Sequence, residues 1–255
     1  MHTIEQGDPS DHFQTAWLAA ARHINSQCVG GINWLRTSLR RPFIEHLSFR
    51  IGNQLFFVFV EAAEIKLSAR CDSFVSFSNL AGATPCVMEM RNNIANYEPC
   101  EFGWGLVHAV TKQLIDPLGL VSEELIEMSD WEVHDFAVNT VMDRLEKEGK
   151  TVFSTCSDME INPSLWFEEK GLNYWVVIRE ARHPETYPEI PSNISKITAS
   201  VEGKAEAGYF ASVVVANYDD PFDPEARTNG NFLTLYRGHP IAVKYEGIQP
   251  LARTH

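Results

Sequence analysis

SDWEVHDFAVNTVMDRLEKEGK is the stretch that most limits what this chain can fold into. Ser129 is followed three residues later by Glu132, the reciprocal cap of a helix N-terminus. Trp131, Val138, Val141, Met142 and Leu145 then recur at helical spacing and define one buried stripe. Glu146, Lys147 and Glu148 suit water, and Gly149 suits the C-terminal turn. A helix so patterned needs an apolar sheet to lie on, and one follows. TVFSTC reads as a short strand, while SLWFEE and NYWVVIREAR read as two strands turned at Lys170-Gly171. SNISKITASVEGK predicts a modest helix with Ser192 as its cap, and YFASVVVANY a strand rich in β-branched residues. FLTLYR and IAVKYEG are expected as two further strands that pair. The expected class is therefore mixed α/β, with the order α-β-β-β-α-β over residues 129–217.

The N-terminal half is less regular. Residues 13–40 are expected as a helix, or two helices broken at Gly30-Gly31, with Arg36, Arg40 and Arg41 near its end and Pro42 stopping it. HLSFRIGNQLFFVFVE predicts two strands around a Gly52-Asn53 turn, and LFFVFV is apolar enough to be buried on both faces. ATPCVMEM and GLVHAVTKQLI are weaker strand candidates around a Gly-rich turn, CEFGWG. DPLGLVSEELIEM is a connector. It suggests an N-terminal helix and hairpin region over 1–125 and a helix–sheet region over 126–255, as two domains or one compact one. No internal repeat is visible in the sequence.

Charge narrows the function classes. Residues 1–125 carry 9 Lys/Arg against 13 Asp/Glu, and residues 126–255 carry 12 against 21, giving −4 and −9 of the total −13. Such a surface repels nucleic acid and suits a basic protein partner. The five cysteines are scattered and contain no C-x-x-C pair, so they read as small apolar residues rather than disulfides or a zinc site. No apolar run approaches the ~20 residues of a membrane helix. The start lacks a basic segment followed by an apolar one, so a cytoplasmic location is the default expectation. No zinc-hydrolase, nucleophile-elbow or phosphate-loop motif is present. Asp219, Asp220 and Asp223 lack calcium-loop spacing, and Arg237 and His239 around Gly238 suit a hairpin tip.

The acids and bases of the second half form a pattern of their own. DMEINPSLWFEEKGLNYWVVIREARHP carries Asp158 and Glu160 before its first strand and Glu180-x-Arg182 at the end of its second. Side chains alternate along a strand, so Glu180 and Arg182 share a face with Tyr174, Val176 and Ile178. Asp135 lies on the packed stripe of the preceding helix, with His134 at its edge. A carboxylate there needs a partner, a metal or a proton.

With this order of elements, residues 129–217 resemble the core of the PD-(D/E)XK nuclease-like superfamily. The resemblance implies divalent-metal-dependent phosphodiester hydrolysis. Asp158 or Glu160 would match the family's Asp near the second strand, and Glu180 the acid on the third. Asp135 would match an acid on the first helix. The implied metal ligands are Asp135, Asp158 and Glu180 around Mg²⁺ or Mn²⁺, with Arg182 on the scissile phosphate. Arg182 stands where the family has Lys, and a guanidinium cannot act as a base. The Pro-Asp dipeptide is also missing. Two functions follow as expectations. The first is a binding or regulatory protein on a degenerate nuclease-like core, needing no cofactor and acting on a protein partner. The second is a metal-dependent nuclease acting on DNA or RNA.

Overall fold

The computed structural model describes residues 9–36, 39–41, 46–62, 71–93, 96–185, 187–220, 222 and 225–251. They divide into an N-terminal unit, within 5–39 and 43–126, and a C-terminal unit, from 127 onward together with Arg40 and Arg41. Both are mixed α/β. Among the described residues no helix is long and apolar enough to cross a membrane.

The N-terminal unit opens with α1, Asp11–Ser26, whose first turn is capped by the Ser10 hydroxyl accepting from the Phe13 amide. Its buried stripe is Phe13, Ala16, Trp17, Ala20 and Ile24. The helix expected to continue toward residue 40 does not. Gly30 and Gly31 both take positive φ, which a helix cannot hold, and Asn33–Arg36 becomes strand β1. Strands β2 (His46–Ile51) and β3 (Gln54–Glu61) form the expected hairpin, with Gly52 at φ +56 in the turn. Helix α2 (Cys71–Leu80) leads to β4 (Thr84–Asn93), and β5 (Asn96–Pro99) and β6 (Val107–His108) both pair with β4. The sheet order is β1-β2-β3-β4-β5, with β3 and β4 parallel. GLVHAVTKQLI supplies only the two residues of β6. LFFVFV is buried on both faces: Phe56, Val58 and Val60 share a core with Phe13 and Trp17, whereas Phe57 and Phe59 meet rings of α2. His46 lies on that second side, stacked on Phe57 and close to Phe74 and Phe77.

The C-terminal unit follows the expected order. It comprises α3 (Asp130–Lys147), β7 (Thr151–Thr155), β8 (Leu165–Glu169), β9 (Leu172–Arg182), α4 (Ile194–Ser200) and β10 (Ala207–Asn217). A short α5 (Ala226–Asn229) precedes β11 (Ile241–Pro250). Both halves of the capping box form between Ser129 and Glu132. The cap of α4 is Asn193 rather than Ser192. The sheet runs β11-β10-β9-β8-β7, with β9 and β10 parallel. FLTLYR does not form a strand beside β11. It contributes one bridge, Glu127 to Tyr236, and β10 takes β11 as its partner. Val133, Ala137, Val138, Val141 and Leu145 of α3 pack with Val176 and Ile178 on one face of the sheet, and Ile197 of α4 packs with Trp175 and Val177 on the other. Gly208 faces Trp175 across the parallel pair, and a Cβ there would fall 2.1 Å from the indole ring. Gly208→Ala is expected to cost at least about 2 kcal/mol, since a ring held in a packed core cannot give way cheaply. Chemical denaturation measures it, and a loss below about 0.5 kcal/mol would contradict the packing described.

The two units repeat one topology. Each is a helix, three antiparallel strands, a second helix, a strand parallel to the third, and a further antiparallel strand. The detail matches as well. Ile51 pairs with Gln54 and Glu169 with Leu172, so each second hairpin has a two-residue turn. Parallel pairing begins at Phe56 in one unit and at Tyr174 in the other, each the third residue of its strand. The units can thus be overlaid residue by residue. Phe13, Ala16, Trp17, Ala20 and Ile24 then correspond to His134, Ala137, Val138, Val141 and Leu145, all buried. Ala62 corresponds to Glu180.

Candidate functional site

The polar side chains of interest gather where the first turns of α3 lie against the end of β9. Trp131, Glu132, Val133, His134 and Asp135 are consecutive and all buried. A helix resting on a sheet buries one stripe, so burial of five in a row means that chain covers its other sides too.

His134 is fully buried, and its Nδ1 lies 2.5 Å from Glu180 Oε2. A carboxylate only accepts, so the pairing places a proton on Nδ1. The other ring nitrogen, Nε2, is buried with no hydrogen-bond partner among the described residues. Asp135 accepts from the Ser157 hydroxyl at 2.5 Å and from the Asn139 amide at 2.9 Å. Arg182 donates through Nη2 to the Met128 carbonyl at 2.6 Å and to Asp130 at 3.0 Å, and it lies 3.8 Å from Glu127. It therefore ties the end of β9 to the start of α3. Glu132 is 2% exposed and holds Arg237, whose Nε and Nη2 both reach Glu132 Oε2 at 2.7 Å. His183 lies 3.5 Å from Asp220, which also accepts the Leu233 amide.

Asp135 and Glu180, expected as metal ligands, lie in one region, linked through His134. Asp158 sits beside Ser157 in the chain, but its carboxylate accepts the Glu160 amide at 2.9 Å, the arrangement of an Asx turn. Glu160 is exposed. Asp135, Asp158 and Glu180 each carry a partner from their own chain, and Arg182 faces acids and a carbonyl. Among the described residues no three His, Cys, Asp or Glu side chains are grouped to hold a metal ion. A divalent cation needs several oxygens turned toward one point, and these donors do not fit one. Of the acidic loop, Asp220 is buried on His183, and Asp223 lies outside the described residues. Arg237 is not exposed at a hairpin tip but buried on Glu132.

Sequence reasoning placed His134 at the edge of the helical stripe. The spacing 134, 137, 138, 141, 145 puts it on the stripe itself, a signal that was present in the residues. Glu132 and Arg237 are 105 positions apart, and no local pattern links them. The five cysteines are thiols, none joined in a disulfide. Burial pushes the thiol of Cys86 well above its usual range, so it is inert as a nucleophile.

Comparison with known proteins adds one match. A family model described as a domain of unknown function (DUF8840) matches residues 131–251, which run from the first turn of α3 to the end of β11. No curated protein and no solved structure matches the chain.

Proposed function

We propose that this is a binding or regulatory protein that acts through protein–protein contact, on a C-terminal scaffold resembling a nuclease-like core that has lost its catalytic use. The observation that carries the reading is the state of the polar residues. Glu180, Asp135, Asp158 and Arg182 are all engaged by their own chain, in contacts that join α3 to the sheet or shape a turn. A nuclease site must instead present carboxylates to a metal and a cation to a phosphate. The acidic charge of the C-terminal half supports the same reading, because it opposes approach of a polyanion.

The test is cleavage of single- and double-stranded DNA and RNA with Mn²⁺ or Mg²⁺, comparing the chain with its Glu180→Gln variant. The expected result is no cleavage by either. Metal-dependent cutting that vanishes in Glu180→Gln would overturn the proposal in favour of the nuclease reading. That second reading draws on the topology, since Glu180 and Arg182 end the third strand on the face that carries α3 and Asp135.

A further inference from the structure

The overlay of the two units shows what the C-terminal one has added. In the N-terminal unit, β4 and β5 are joined by residues 94–95 alone. In the C-terminal unit, the corresponding connection between β10 and β11 spans residues 218–240. The N-terminal unit reaches the same topology without such a segment, yet here it is anchored firmly. Leu235 is buried in the core, and its carbonyl accepts the Met128 amide. Tyr236 bridges Glu127 in antiparallel register, and Arg237 is buried on Glu132. Of the α1 positions that correspond to Glu132, Val133 and Asp135, Asp11 and His12 are exposed and Gln14 is half-buried. The added segment lies over a face of the first turns of α3 that the sister unit leaves open.

The ion pair beneath this strap is poorly matched. Glu132 Oε2 receives the Ser129 amide, the Ser129 hydroxyl and both nitrogens of Arg237, while Oε1, equally buried, has no partner among the described residues. A guanidinium binds a carboxylate best with two parallel bonds to two oxygens. A second arginine entering in that geometry would satisfy the empty oxygen. We propose that residues 231–239, within this connection, are an internal strap occupying, through Leu235–Tyr236–Arg237, the docking site of a basic peptide segment of a partner protein. This rests on the reading of the chain as a binding protein and names the partner's chemistry. The segment is extended, pairs with Glu127–Met128 as Leu235–Tyr236 does, and brings an arginine after two apolar residues. Glu127 and Asp130, both largely exposed, flank the site and favour a cationic arrival. The strap holds the site closed until that segment displaces it.

The test uses a fluorescent peptide of residues 231–239, NFLTLYRGH, titrated against the full chain and read by anisotropy. Arg237→Lys in the protein keeps the charge under the strap but removes the two-donor contact. The peptide is expected to bind this variant at least about tenfold more tightly than the wild type. A second peptide, with leucine in place of its arginine, is expected to lose that binding without any change to the protein. Equal affinity for wild type and Arg237→Lys, equal affinity of the two peptides, or no binding would overturn the strap. Failure here is separable from failure of the binding-protein reading, because nucleic-acid cleavage is scored independently of the peptide.

Discussion

Glu180→Ala alone should destabilise the C-terminal unit by about 3 kcal/mol, and adding His134→Phe should restore most of that loss. The single change leaves His134 fully buried with both ring nitrogens unpaired, because Nε2 has no partner among the described residues and Nδ1 loses Glu180. The double change writes into the C-terminal unit what its sister already has, for Phe13 and Ala62 hold the corresponding positions in an apolar core. Replacing a buried ionic pair by apolar residues of similar volume is often neutral or stabilising. Glu180 keeps 14% of its side chain exposed, so some water can reach its place and the cost falls at the lower end for such pairs. Urea denaturation of the three variants decides it. A double variant no more stable than Glu180→Ala would mean that the overlay of the units fails at this point.

The second large effect concerns pH. Burial, and then the nearby Arg36 charge, push His46 down to about 3. Folded His46 is therefore neutral, whereas in the unfolded chain it titrates near 6.5. Below that value the unfolded state takes up a proton that the folded state refuses. Stability is fully present above about pH 6.5 and is lost as pH falls toward 3, by about 1.4 kcal/mol per unit. At pH 5 the loss reaches about 2 kcal/mol, before most carboxylates titrate. His46→Leu should remove this slope between pH 6.5 and 5. Denaturation midpoints at both pH values measure it, and an equal acid loss in wild type and variant would refute the assignment.

How much was legible in the sequence depended on how local each cause was. The Ser129–Glu132 box and the stripe from Ala137 to Leu145 are contained in a few turns, and both appear where the pattern places them. The β8–β9 hairpin was readable from Lys170-Gly171, and the burial of LFFVFV from its composition. Two local readings failed for physical reasons. The helix ends at Ser26 because consecutive glycines turn the chain and Trp34 takes a strand position beside Phe49. FLTLYR has a strand's composition, but Leu235 is drawn into the core and Arg237 onto Glu132, which leaves β10 to pair with β11. The candidate site was legible only in part. Its residue types were visible, but the partners that bring them together from other elements lie 22 to 105 positions away, as with Ser157 for Asp135 and Arg237 for Glu132. The repeat was hidden for a related reason. Topology depends on where apolar faces and turns fall, and phenylalanine with alanine fills the same places as histidine with glutamate.

The doubled topology also bears on how the chain folds. Tandem units of one architecture risk exchanging strands, since a third strand from one can seek the fourth strand of the other while both are incomplete. Here the competing strands differ in kind. LFFVFV offers large apolar side chains to both faces, whereas β9 ends in Glu180 and Arg182 on the face that carries the core, where they would be stranded against the Phe- and Met-rich core of the N-terminal unit. A mispaired strand would bury charge without its partner, a penalty of several kcal/mol. The difference between the two strands thus penalises such an exchange and favours each strand in its own sheet.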